Sequence, residues 1–369
     1  MLNQIDKQHM EVSKQRTHTN RFQTGLNTTI ILTATLAALF SGSEALACAS
    51  CGCTLSTDWG SQGVSTNSGW SYDLSDSYIN QNTLIYGNSK PSSAFTQSLY
   101  ANGTEIETST ATQTITNALS YNGETWGISF QIPFLIRTHG TNGTTDQTLP
   151  TPGSDYGANY QSSDRAGLGD IRVVGHYSGL FEDKTSGLIL GLKFATGETG
   201  ADFSGGAAAG QTGISLDPGL QLGTGSTDVI LGAYTSGTVS TYGWFVQGTV
   251  QHAVSPLATE AGGVTYRPGD AYLLNTGIRY AGFGAAVSPM LQLNLIHREY
   301  DQGTGVPTDV FTGSPISGGN LAYLSPGASV RLGGGTSVYG FIQLPIYQNV
   351  GSLQLVPSYT ATIGVHQNF

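Results

Sequence analysis

The sequence predicts an all-β protein, a transmembrane antiparallel up-and-down β-barrel of about 12 strands that follows a cleaved signal peptide. Three observations point there. Charged residues make up 10% of the 369-residue chain, far below the ~25% usual in soluble domains. Apolar and polar residues alternate with period two over most of the chain beyond residue 106. The connections between these alternating stretches are short and long in turn, as barrels that cross a membrane require.

The remaining composition fits. Hydrophobic residues are only 38%, and 51 glycines fill the gap left by missing charge, about double the usual ~7% share. Eighteen Tyr, 13 Phe and 4 Trp argue against disorder, which needs few aromatics. A formal charge of −10 supplies no basic field to displace counterions, so nucleic acid is excluded as a partner.

The elements follow in chain order. Lys7, Lys14, Arg16 and Arg21 precede the apolar run from Thr28 to Phe40. That run suits a signal h-region and is shorter than the ~20 residues of a spanning helix. Ala45-Leu46-Ala47 then offers a cleavage site, which sets a signal peptide at 1–47, a Cys-containing periplasmic or plug segment at 48–68, and a barrel at 69–369. Cys48 at the new N-terminus also suits lipidation, although Ala45 stands where lipoprotein signals usually carry Leu. Initiation at Met10 would shorten the long leader.

Strands are expected near 69–80, 106–120, 124–137, 167–180, 185–198, 226–238, 241–254, 269–281, 284–298, 320–332, 335–347 and 356–369. The third shows the pattern: Trp126, Ile128, Phe130, Ile132, Phe134 and Ile136 share one face, while Ser129, Gln131 and Arg137 lie on the other. Asn122-Gly123 signals a type I′ hairpin. Long Gly/Ser/Thr-rich loops are expected near 81–105, 138–166, 199–225, 255–268, 299–319 and 348–355. An even strand count leaves both ends of the barrel chain on the short-turn, periplasmic side.

Trp126, Tyr177, Tyr242, Trp244, Tyr280 and Phe369 fall beside the short turns with outward parity, as an interfacial girdle would. The last strand ends on Phe369, resembling the signal by which the barrel-assembly machinery recognises its clients, with Gln367 where an apolar residue is usual.

Ala166-Gly-Leu-Gly-Asp-Ile-Arg172, the hairpin into Gly187-Leu-Ile-Leu-Gly-Leu-Lys-Phe-Ala-Thr-Gly197, Leu222-Gly-Thr-Gly-Ser-Thr-Asp-Val-Ile-Leu-Gly232 and Leu344-Pro-Ile-Tyr347 carry a family resemblance. Over about residues 160–369 the chain resembles the outer-membrane channels named after the meta-pathway of phenol degradation. It departs from them at Phe194-Ala195, where Leu-Pro is commoner. The resemblance implies passage of small, often aromatic, compounds.

Three chemistries compete inside such a barrel. Arg137, Arg172, Lys193, Arg279, Arg298 and Arg331 have inward parity. They would either favour anions in a basic lumen or brace it by pairing with Asp73, Asp170 and acidic loop residues. Cys48, Cys51 and Cys53 have C-x-x-C spacing, open to a disulfide, to lipidation, or to a soft metal or redox role. His139, His176, His252, His297 and His366 have no nucleophile motif beside them, so a barrel hydrolase is the weakest reading. The expectation is a bacterial outer-membrane channel for passive uptake of small solutes, not an enzyme and without a cofactor, in contact with lipid and the assembly machinery. The alternative is a plugged barrel with a binding, scaffold or metal/redox role.

Overall fold

In a computed structural model the described residues are 68–102, 104–143, 160–207, 215–255, 258–259, 265–283 and 286–369. The expected signal peptide, the segment to residue 67 and Cys48, Cys51 and Cys53 lie outside them.

Among the described residues twelve strands close one antiparallel barrel. They are β1 (Gly69–Tyr86), β2 (Ile106–Asn122), β3 (Trp126–Asn142), β4 in two segments (Tyr160–Leu168 and Arg172–Tyr177), β5 (Ser186–Lys193), β6 (Asp228–Val239), β7 (Tyr242–Ala253), β8 (Ala271–Tyr280), β9 (Val287–Arg298), β10 (Gly319–Gly333), β11 (Thr336–Asn349) and β12 (Leu353–Asn368). Each strand pairs with its sequence neighbours, and β12 returns to β1 from Ser71↔Asn368 up to Tyr86↔Leu353. No helix among the described residues is long and apolar enough to cross a membrane.

Alternation sets the two faces. Leu188, Leu190 and Leu192 of β5 are exposed on the outer face, while Gly187, Ile189, Gly191 and Lys193 between them are buried. The outer face of β3 is apolar from Trp126 to Phe134. The β1–β2 wall departs from this. There Asp76, opposite exposed Ile363, accepts from Gln113 at 2.8 Å, and the Tyr72 hydroxyl donates to Asn117 at 2.5 Å.

Aromatic rings gather at the short-turn end. Trp70 stacks edge-on against Tyr121 at 5.2 Å, and Tyr121 meets Trp126 at 5.4 Å. Tyr242, Tyr280 and Phe283 form a second run with 5.1 Å between successive rings. The Phe369 amide donates to the Trp70 carbonyl, carrying the ladder one residue past β12. Gln367, polar where an apolar residue is usual, donates to the Gly334 carbonyl and so ties the last strand to the β10–β11 turn.

Several expectations need correction. Neither Asn122 nor Gly123 has a positive φ, so no type I′ turn forms; the ladder ends at Asn122↔Gly127 and the Gly123 amide donates to the Trp126 carbonyl. Strand β4 begins at 160 rather than 167 and breaks at 169–171. The break lies opposite Pro133. Its carbonyl accepts from the Gly169 amide, so the N–H that proline lacks is missing from the same edge. Strand β5 stops at Lys193 instead of 198, because the Thr196 hydroxyl turns to the Gly169 carbonyl. The expected loop 81–105 contains a helix, α1 (Ser93–Ala101). Its Ser92 cap accepts from the Phe95 amide, and Leu99 and Tyr100 pack on Ile106 and Leu353.

Glycine abundance has a second cause besides loops. Gly243, Gly364, Gly127, Gly187 and Gly277 stand directly opposite Arg279, Tyr339, His176, Tyr234 and Phe245. Each large side chain lies over its glycine: a Cβ on Gly364 would come within 2.3 Å of Tyr339 Cζ, and one on Gly243 within 2.4 Å of Arg279 Nε. Changing Gly364→Ala displaces Tyr339 from its 2.7 Å bond to Asp73 and is expected to cost about 1–3 kcal/mol. The urea midpoint of protein refolded in detergent micelles measures this. Gly248→Ala, whose new Cβ has no neighbour nearer than 3.9 Å, is expected to leave the midpoint in place.

Candidate functional site

The interior is polar where the exterior is apolar. On the walls from β8 to β11, Asn294 donates to Asn275 at 2.8 Å and accepts from Ser325 at 2.6 Å and from Gln343 at 3.3 Å. All four are buried. Satisfied amides of this kind make a polar lining whose members hold one another in place.

The segment between β5 and β6 turns into the barrel. Phe203, Leu216 and Leu220 form a buried cluster, with Phe203 6.0 Å from the His139 ring of β3. Gln221 holds the segment's shape: its side-chain oxygen accepts from the Ala201 amide, and its Nε2 donates to the carbonyls of Ala201 and Leu216. Arg137 secures it to the wall, Nη1 reaching the Gln221 carbonyl at 2.9 Å while Nε donates to Thr112 at 3.0 Å.

Two strand ends anchor this segment. At the β4 break, Asp170 accepts from the Gly197 amide at 3.0 Å and from the Thr224 amide at 2.9 Å. Lys193 Nζ lies 3.0 Å from Asp170 Oδ2 and 3.2 Å from Asp228 Oδ2, and all three side chains are buried. Gly197 and Gly223 let the two arms touch, since a Cβ on Gly197 would come within 2.5 Å of Gly223 Cα.

Between this inserted segment and the long loops lies an open cavity at the long-loop mouth. Glu105, Glu107, Asp217 and Asp301 bring carboxylates to its wall, with Gln354 beside them. Leu220, Val306, Pro307 and Ile316 supply apolar surface. Glu107 accepts from the Leu355 amide at 3.2 Å. Asp301 accepts from the Gly269 amide at 2.8 Å and from the Tyr266 hydroxyl at 3.1 Å. Burial pushes the Glu105 carboxyl above its ordinary value. Asp309 clips the β9–β10 loop to the rim, accepting from Ser352 at 2.6 Å and from the Phe311 amide at 2.8 Å.

The six basic residues of the sequence reading fall into different places. Arg137 and Lys193 hold the inserted segment, and Arg298 approaches Asp301 at 3.7 Å. Arg172 is exposed within reach of the charges of Asp170 and Asp228. Arg279 and Arg331 lie close enough to repel one another. Asp73 meets Tyr339 and His366. The histidines are dispersed: His139 bonds Thr110, His252 bonds Asp270, and His297 bonds Asn320. Among the described residues no group of three or more His, Cys, Asp or Glu can hold a metal ion. The mouth residues were missed; the alternating pair Glu105 and Glu107 at a strand start was the available signal.

Comparison with known proteins places the fold. No protein-family profile matches the chain, and no curated protein is detectably similar. Among solved structures, an outer membrane channel from Pseudomonas putida F1 superposes with a TM-score of 0.56 at 12% identity, covering 83% of this chain and 97% of that one. The fold is thus that of an outer-membrane β-barrel. More distant are the CymD monoaromatic hydrocarbon channel (TM-score 0.42, 11% identity, 89% and 95% covered) and the Ralstonia pickettii toluene transporter TbuX (0.40, 10%, 82% and 90%).

Removing Lys193 would leave Asp170 and Asp228 as a buried like-charge pair. Lys193→Ala is expected to lose about 3–5 kcal/mol, read as a lower urea midpoint. Lys193→Met with Asp170→Asn and Asp228→Asn is expected to recover much of it, because no unpaired charge remains.

Proposed function

We propose that this protein is an outer-membrane channel for passive uptake of small molecules with apolar or aromatic bodies. It is a transporter and not an enzyme. The observation that carries the reading is a closed wall, apolar outside and polar inside, whose mouth is narrowed by an inserted segment to a small open cavity. The short turns and the mature N-terminus at Cys48 face the periplasm in this reading, after removal of residues 1–47. Resemblance to the phenol meta-pathway channels supports an aromatic cargo, and the mouth's apolar residues suit one. Arg137, Lys193 and Arg298 hold protein partners, which weakens an anion-selective lumen.

A second reading has its own support: Arg137 and Asp170 pin the inserted segment firmly enough for a plugged barrel with a binding or scaffold role. Cys48, Cys51 and Cys53 would then serve a disulfide, lipid or metal role below it. Planar-bilayer recording separates the two. The channel reading expects discrete conductance steps from wild-type protein. Silence of the intact barrel, with conductance appearing once residues 203–216 are replaced by a short Gly/Ser linker, favours the plug.

Assembly gives an independent check. Phe369→Ala is expected to reduce the fraction of chain that reaches the outer membrane in heat-modifiable form. Unchanged levels on fractionation and unheated gels would contradict a role for that residue in recognition by the assembly machinery.

A further inference from the structure

The mouth cavity has an electrostatic character that passage of neutral solutes does not require. Four carboxylates reach its wall, from the start of β2 (Glu105, Glu107), from the inserted turn (Asp217) and from the β9–β10 loop (Asp301). Arg298, 3.7 Å from Asp301, offsets one of them. Gln354 gives a second observation. Its side chain is 1% exposed, lines the same cavity, and neither its Nε2 nor its Oε1 has a hydrogen-bond partner. A buried amide left unsatisfied on both atoms costs about 1–3 kcal/mol per group, so it marks a place where a ligand's polar atoms complete the structure.

The chemistry of that ligand follows by exclusion. Burial already raises the Glu105 carboxyl; an anion beside it would raise it further, whereas a cation favours its charged form. A hard metal ion needs about six or more converging oxygens, and no described group of acidic side chains comes together tightly enough to hold one. A neutral hydrocarbon would leave Gln354 unsatisfied. An ammonium group offers three donors to carboxylates and to the Gln354 oxygen, while an attached apolar body covers Leu220, Val306 and Ile316. We propose that this cavity binds small organic cations, protonated primary amines on a small apolar body, as the entry site of the channel. Its role as an entry site rests on the channel reading; the binding itself does not.

Isothermal titration of the full-length protein in detergent tests this with phenethylammonium, phenylacetate, ethylbenzene and calcium as probes. Saturable one-site binding of phenethylammonium is expected, with phenylacetate and calcium failing to bind or compete. Glu105→Gln and Gln354→Leu are each expected to weaken it about tenfold or more, the scale of one charge-assisted or buried hydrogen bond. Heat-modifiable migration checks that each variant folds, and the probe series on wild-type protein decides the matter if one does not. Ethylbenzene or phenylacetate binding as tightly as phenethylammonium, or both folded variants binding unchanged, overturns the proposal. Failure of the channel reading looks different: binding persists while bilayers stay silent. Conductance without phenethylammonium binding sinks the cation site alone.

Discussion

Everything in this fold depends on one constraint: a backbone crossing lipid must pair every N–H and C=O within the protein, at about several kcal/mol for each failure. A sheet satisfies that only by having no edge. The pairing of β12 with β1, from Ser71↔Asn368 to Tyr86↔Leu353, removes the last edge. The ladder's extension from Phe369 to Trp70 seals its lower end. Closure dictates the two faces. Lipid selects Leu188, Leu190 and Leu192 outside; the lumen tolerates Asn294, Gln343 and Lys193 inside.

Closure also limits space, and the interior solves that locally. Cross-strand glycines give room for Arg279, Tyr339 and Phe245 to lie flat along the wall. Where β4 breaks opposite Pro133, Asp170 leaves the ladder and, with Lys193, fixes the inserted segment between β5 and β6. The same break that shortens the ladder thus builds the mouth. Charges placed inside for want of tolerance in lipid become structural ties, and those left at the rim shape the cavity.

Strand existence and parity were legible in the sequence because lipid imposes strict alternation over the belt, as in Trp126 through Ile136. Alternation fades above the belt, where consecutive residues such as His139, Thr141 and Asn142 are buried under the loops; hence β3 runs to Asn142 and β4 starts at Tyr160, beyond the expected ends. The Asn122-Gly123 signal misled because Trp126 lies over Gly123 and a three-residue loop forms. Inward parity alone could not tell which arginines meet a protein partner. That depends on where the 199–225 loop goes, and its course is set by contacts distant in sequence: Arg137 with Gln221, Asp170 with Thr224. The acidic mouth was invisible for the same reason, since its carboxylates come from separate stretches of chain.

Hydrogen–deuterium exchange of the protein in lipid nanodiscs tests closure most directly. The amides of Gly69–Tyr86 and Leu353–Asn368 are expected to exchange as slowly as those of the neighbouring hairpin strands β10 and β11. Fast exchange confined to β1 and β12, the behaviour of two unpaired edges, would contradict the closed barrel.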